Sequence, residues 1–203
     1  MNWIFVLVTV TVVAIVFGVV YLIYTLYKRA KASTQDLKNK ASAPLAIATR
    51  FAKLRQFTVI SPAMLAKDGK FADIDFIVVG YFGVLGVKCI GLGGEIYGSA
   101  GDAMWLQVAK DKRISFDNPL LVAQTDARLI RDTLFVAGLK SVPVEVICVC
   151  SNKKATLALP RTTGHFTLKD FKAYLQKDKF EQDKGIDIAN VKSSIEKWII
   201  ASN

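Results

Sequence analysis

The sequence has little of the residue chemistry from which most metal and nucleophile sites are built. Its 203 residues include a single histidine, His165, and only three cysteines. His165 follows the turn-like segment 161–164, and no local Cys-His or Ser-His-Asp arrangement can be assembled around it. We therefore do not expect His165 to be catalytic.

The three cysteines are too few and too closely spaced for a disulfide framework. Cys148 and Cys150 are two residues apart and would share one face of a strand, which leaves Cys89 as the third thiol. Neither histidines nor further cysteines lie near them in the sequence, so a metal site of this kind is not expected. We interpret all three as buried thiols.

Charge is missing from the N-terminal segment Trp3–Tyr27, which is 25 residues long and rich in Val, Ile, Leu and Phe. About 20 such residues span the hydrocarbon core of a bilayer. A cleaved signal peptide would have a basic start and a shorter apolar run. The segment therefore predicts one uncleaved transmembrane helix.

The residues after this segment are basic and set the predicted orientation. Of a net charge of +10, eight basic residues and one acidic residue fall between residues 28 and 60, beginning with Lys28, Arg29 and Lys31. The positive-inside rule then puts the N-terminus outside and the remainder of the chain in the cytoplasm. Contact with anionic lipid headgroups, at about 1 kcal/mol per basic residue, accounts for most of this charge. Nucleic acid stays open as a partner.

The remaining sequence predicts an α/β domain with a mixed central sheet flanked by helices, preceded by the one N-terminal transmembrane helix. The organisation is an anchor at 1–27, a basic juxtamembrane stalk at 28–43 and one domain at 44–203. The predicted helices are 44–56, one that Asn118 caps and Gly138 ends, 168–176 and 188–201. The predicted strands are 57–60, 74–80, 84–90, 95–97, 105–109, 142–149 and 156–159. Of these, 74–80 and 84–90 form a predicted hairpin that 95–97 and 105–109 extend as a meander.

One set of residues in this domain carries a family resemblance. The segment DIDFIVVGYFGV at 73–84, GGEIYG at 93–98, Trp105 with Gln107, and Asn118-Pro119 follow the order and approximate spacing of the NERD (nuclease-related) domain. The sequence resembles this family from about Pro44 to Leu159. The resemblance implies the restriction-endonuclease-like fold of the PD-(D/E)XK nucleases, with a framework made by Gly83, Gly94, Ile96, Gly98, Trp105, Asn118 and Pro119.

The same resemblance implies a metal site, in which an Asp and a Glu bind Mg²⁺ or Mn²⁺ and a Lys lies beside the attacking water. Asp75 matches the family's Asp. In the ungapped register the family's Glu falls on Lys88 and its Lys on Ile90. If the strand slides by two residues, Lys88 takes the lysine position but the acid position becomes Gly86. Neither register supplies the second carboxylate.

Two roles remain open for the residues at this position. Asp73 and Asp75 could form a makeshift metal-binding pair, or Asp75 could form a salt bridge with Lys88 across the hairpin. The catalytic candidates are therefore Asp75 and Lys88, and the metal candidates are Asp73 and Asp75.

The favoured hypothesis is a membrane-anchored cytoplasmic NERD-like domain without nuclease activity that binds a protein partner and needs no cofactor. The alternatives are a nuclease dependent on Mg²⁺ or Mn²⁺ with a rearranged site, or a nucleic-acid binder tethered at the membrane.

Overall fold

The computed structural model describes Trp3, residues 15–19, Tyr21, 40–110, 112–160 and 163–200. Contacts divide the chain into residues 1–39 and 40–203. The described residues of the first unit are helical, and within the described part of the chain no helix has the length and apolar character needed to span a bilayer. Most of the predicted span, with Lys28, Arg29, Lys31 and the stalk up to residue 39, lies outside the described residues.

A five-stranded mixed sheet forms the centre of the second unit. Its order is β1 (Thr58–Ile60), β4 (Phe76–Gly80), β5 (Gly83–Ile90), β9 (Val144–Cys150) and β11 (His165–Thr167). The predicted β4–β5 hairpin is confirmed, with Gly80 opposite Gly83, and β5 runs parallel to β9. Gly83 is required at this turn because its φ is +119° and a Cβ there would lie 2.4 Å from the carbonyl oxygen of Pro143.

Helices cover both faces of this sheet, as the sequence predicts. On one face α1 (Ser42–Arg55) and α3 (Leu168–Tyr174) pack on alternate residues of β4 and β5, while α2 (Pro119–Val136) and α4 (Ile188–Glu196) pack on the other. Every residue of β4 is buried, since both of its faces are covered. Asn118 caps α2 as predicted and Thr167 caps α3. By contrast, α1 begins at Ser42 inside the predicted stalk and α4 ends five residues early.

The predicted continuous meander is wrong, because the later strands form a second sheet. This sheet has the order β10 (Ala155–Ala158), β6 (Gly94–Tyr97), β7 (Met104–Ala109) and β8 (Lys112–Asp117). Between Ile90 and Gly94 the chain leaves the central sheet, and the buried Ile96 and Trp105 of the second sheet pack with Ile90 and Cys148 of the first.

A further hairpin, β2 (Ala63–Lys67) and β3 (Lys70–Ile74), is absent from the sequence prediction, as are β8 and β11. The hairpin turns at Asp68-Gly69, where both residues have positive φ, so the Asp-Gly signal of a two-residue turn was present in the sequence. Its Leu65, Ala72 and Ile74 are buried against α2 and α4. Asp75 therefore lies in a bend between β3 and β4 and not within one long strand.

The framework residues of the second sheet meet at the loop 99–102. Asn118 is 1% exposed; its side-chain amide donates to the carbonyl oxygens of Ser99, Ala100 and Asp102 at 3.2, 3.1 and 2.7 Å, and its oxygen accepts from the Leu120 amide. Trp105 also donates to Ser99, at 2.9 Å. Gly98 lies against the same indole, where a Cβ would come within 2.4 Å of Cδ1. These residues fix the entry of α2 onto the sheet.

We expect Asn118→Ala to lower the free energy of unfolding by about 2–4 kcal/mol, because a helix cap and a buried donor are lost together. Urea unfolding followed by circular dichroism measures this. The matched control is Asn190→Ala, since Asn190 is exposed, and it should change stability by less than about 0.5 kcal/mol. Equal effects of the two substitutions would contradict the structural role of Asn118.

Candidate functional site

The candidate site lies where the bend at Asp75 meets the end of β5. The Asp75 amide donates to the carbonyl oxygen of Val87 at 3.1 Å, and Phe76 pairs with Val87 in the next position. Continued by one residue, this register puts Asp75 across from Lys88. The structure thus places the backbones of the two catalytic candidates side by side, while their side chains have different partners.

The Asp75–Lys88 salt bridge, one of the two roles that the sequence left open, does not form, because Asp75 has other partners. One of its carboxylate oxygens accepts the backbone N–H of Cys89 at 2.7 Å, and the other lies 3.2 Å from the ammonium of Lys40. The Asp75 side chain is 11% exposed, so this pair is largely shielded from water. Lys40 comes from the end of the predicted stalk, immediately before α1.

The Lys88 side chain lies on the face of the sheet opposite to that of Val87 and Cys89, since side chains alternate along β5. Val87 and Cys89 face α1 and α3, whereas Lys88 faces α2. Its ammonium lies 3.1 Å from a carboxylate oxygen of Asp126 on α2. It also donates to the carbonyl oxygen of Asp73 and lies 3.9 Å from the Asp73 carboxylate. Three oxygens thus surround a lysine whose side chain is only 13% exposed.

Asp126 is the most buried charged group of the site, at 3% exposure. Burial raises the pKa of its carboxyl, and the neighbouring Lys88 ammonium offsets part of that rise. An isolated carboxylate at this depth would be strongly destabilising, so Lys88 is the group that permits an acid here.

The candidate metal pair, Asp73 and Asp75, does not form one site. Asp73 lies with Lys88 and Asp126, while Asp75 lies with Lys40 and the Cys89 amide. Among the residues that the structure describes, no three His, Cys, Asp or Glu side chains have the arrangement of a metal site. A hard divalent cation prefers several oxygen ligands free to turn toward it. These carboxylates already face lysines, so the donor set does not fit such an ion.

The alternative register supplies no carboxylate either. Gly86 is buried, and a Cβ there would lie 2.9 Å from the Val146 side chain and 3.6 Å from Ile130 and Ile74. Ile90, at the other motif position, is buried with Trp105 between the two sheets. Both positions therefore belong to the hydrophobic core.

The remaining sequence candidates lie outside this site. All three cysteines are free and buried, as predicted, and burial raises the pKa of Cys148 and of Cys150 to about 12. His165 pairs with Cys148 across β9 and β11, and burial lowers the pKa of its imidazole. Glu95, an acid that follows the glycine turn 91–94, is exposed on β6 beside the hydroxyl of Tyr97.

Sequence reasoning missed both residues that complete the ion pairs. The sequence contained a signal for Asp126, because this acid lies on the apolar helical face formed by Ala123, Ala127 and Ile130. An acid on such a face needs a buried partner. No sequence signal pointed to Lys40, since its contact with Asp75 joins positions that are 35 residues apart in the chain.

Comparison with known proteins gives one match. The family model of NERD, described as the nuclease-related domain, matches residues 39–151, which is more than half of the chain. No curated protein and no solved structure matches. The matched range includes Lys40, Asp75, Lys88 and Asp126.

We expect Asp126→Ala to lower the free energy of unfolding by about 3 kcal/mol, because it leaves the Lys88 ammonium buried without its nearest carboxylate. Asp132→Ala, at an exposed acid of the same helix, is the matched control and should cost under about 0.5 kcal/mol. Denaturant unfolding of both variants measures the difference.

A double-mutant cycle tests the pair itself. Lys88→Met combined with Asp126→Leu should recover most of the stability that either change loses alone, with a coupling of more than about 1 kcal/mol. Additive effects of the two substitutions would show that Lys88 and Asp126 do not interact.

Proposed function

We propose that this chain, which belongs to the NERD (nuclease-related domain) family, lacks nuclease activity and is a binding or scaffold module for a protein partner. The observation that supports this is the type of residue at the position across from Asp75. A metal-dependent nuclease of this kind needs a second carboxylate there, and this chain has Lys88. An ammonium repels the divalent ion that a carboxylate would bind.

The contacts of Lys88 hold its ammonium in place of the carboxylate that would bind a metal ion. Its ammonium would have to leave Asp126 and the carbonyl of Asp73, and the 3% exposed Asp126 would be left without a cation. A conformational change that opened the position for a metal would therefore be costly.

Asp75 is neutralised independently by Lys40. Each acid near the site thus faces a lysine of the same chain, and the two lysines approach from opposite faces of the sheet. The alternative of a rearranged metal-dependent nuclease would require Asp73 and Asp75 to leave these partners and converge on one ion.

A nuclease assay on the full-length chain tests the proposal. Supercoiled plasmid, single-stranded DNA and RNA are incubated with Mg²⁺ or Mn²⁺, and we expect no cleavage above a blank preparation. The control is Asp75→Ala purified in parallel, because a contaminating nuclease would cleave equally in both samples. Cleavage that Asp75→Ala abolishes would overturn the proposal and support the rearranged nuclease.

We further propose that the domain is held at the cytoplasmic face of a membrane by residues 3–27. The support is the uncharged apolar run followed by Lys28, Arg29 and Lys31. A reporter fused after Asn203 should be active only as a cytoplasmic protein. Replacing Lys28, Arg29 and Lys31 together by Glu should weaken this orientation, whereas a reporter that is active outside the cytoplasm in the unaltered chain would refute it.

A further inference from the structure

The central strand β9 is only partly covered by its outer neighbour. β5 pairs with all seven residues of β9, whereas β11 pairs with Cys148–Cys150 alone. In the described part of the chain, residues Val144–Ile147 therefore have no strand on the side away from β5. We call this four-residue segment the open edge.

The backbone groups of the open edge have a defined direction. The Val84 amide donates to Pro143 at 2.8 Å, and the Ser151 amide donates to Ile90 at 3.0 Å, so odd-numbered residues of β9 direct their polar groups to β5. Val144 and Val146 then direct theirs outward. The Val144 carbonyl accepts from the Arg131 guanidinium at 2.8 Å. Within the described part of the chain, this leaves the Val144 N–H and both groups of Val146 for a further strand.

Clefts lie on both faces of the sheet beside the open edge, where the side chains of such a strand would project. Clefts of about 580 and 340 Å³ lie on the α2 side, lined among others by Arg131, Lys140 and Arg128. A cleft of about 330 Å³ lies on the other side, lined by Lys179 and Lys184. All three clefts share Val144.

The charge of these walls selects the class of ligand. Among the described residues that line these clefts, the five basic side chains just named are accompanied by two acidic ones, Asp132 and Glu145. Glu145 already binds Lys179 at 2.7 Å and accepts from the Tyr174 hydroxyl. A ligand with carboxylates along its length would therefore be attracted. A second copy of this chain, paired symmetrically edge to edge, would bring like charges together.

We propose that the open edge binds an extended, acidic segment of a partner protein as an additional strand of the central sheet. This inference rests on the proposed function as a binding module and names its surface and its class of ligand. Backbone hydrogen bonds to Val144 and Val146 supply the register, and the basic walls select acidic side chains.

The probe is a short fluorescein-labelled peptide of alternating Glu and Val, titrated by fluorescence anisotropy against the full-length chain in neutral detergent micelles. In two further peptides every second backbone amide is N-methylated: the Glu amides in one peptide and the Val amides in the other. Only one phase of a bound strand faces β9, so one methylated peptide should bind about tenfold more weakly and the other within about twofold of the parent. Equal behaviour of the two methylated peptides would overturn strand addition, because attraction to the basic stalk alone does not distinguish the phases.

Charge variants locate the binding site. Arg128→Glu should weaken parent-peptide binding about fivefold, while Lys172→Glu, an equal charge change outside the three clefts, should alter it less than about twofold. Both residues are exposed, so folding should be preserved.

Hydrogen exchange supplies an independent measure, since the peptide should slow exchange at Val144 and Val146. Equal effects of the two variants, or unchanged exchange at the open edge, would refute the assignment.

Sedimentation velocity tests whether a second copy of this chain pairs with the open edge instead of a partner protein. Dimerisation that Arg128→Glu alters and Lys172→Glu does not would identify a second copy at the open edge and overturn the proposal. Failure of peptide binding would leave the nuclease assay without cleavage, whereas failure of the proposed function would appear there as cleavage that depends on Asp75. The two failures are therefore distinguishable.

Discussion

The pair between Lys88 and Asp126 joins the central sheet to α2 at a depth where neither charge could stay alone. The ammonium and carboxylate are 3.1 Å apart, and the helix that holds Asp126 also supplies the apolar residues covering β5. Such a pair adds less to stability than a good apolar contact would, but removing either member is expensive. It therefore constrains which residues this site can hold more than it stabilises the fold.

That constraint links the chemistry of the site to its architecture. If Lys88 were a carboxylate, it would face Asp126 and Asp73 with no internal cation between them, and a bound metal would have to supply the charge. In this chain lysine supplies the charge. Lys40 repeats the arrangement on the other face by pairing with Asp75. The positive charges near the site are thus permanent parts of the protein, and their strength does not depend on the concentration of any ion.

Local sequence signals predicted most of the central fold. Asn118-Pro119 gave the start of α2, Gly83 gave the β4–β5 turn, and the apolar run 142–149 gave β9 within two residues. The division into two sheets was not predictable in this way, because alternation in β6 and β7 is the same whichever sheet they join. The site followed the same rule: register placed Asp75 beside Lys88, but whether the two charges meet depended on which face each side chain took.

The framework residues explain why family membership and nuclease activity can separate. Asn118, Trp105 and Gly98 act on the loop 99–102 and the start of α2, through hydrogen bonds and close contact that involve neither Asp75 nor Lys88. A substitution at position 88 leaves those contacts intact, so a chain can keep the fold while its site changes charge. The binding proposed for the open edge of β9 rests on backbone groups and basic cleft walls at residues other than position 88, so it does not depend on the charge of the candidate site.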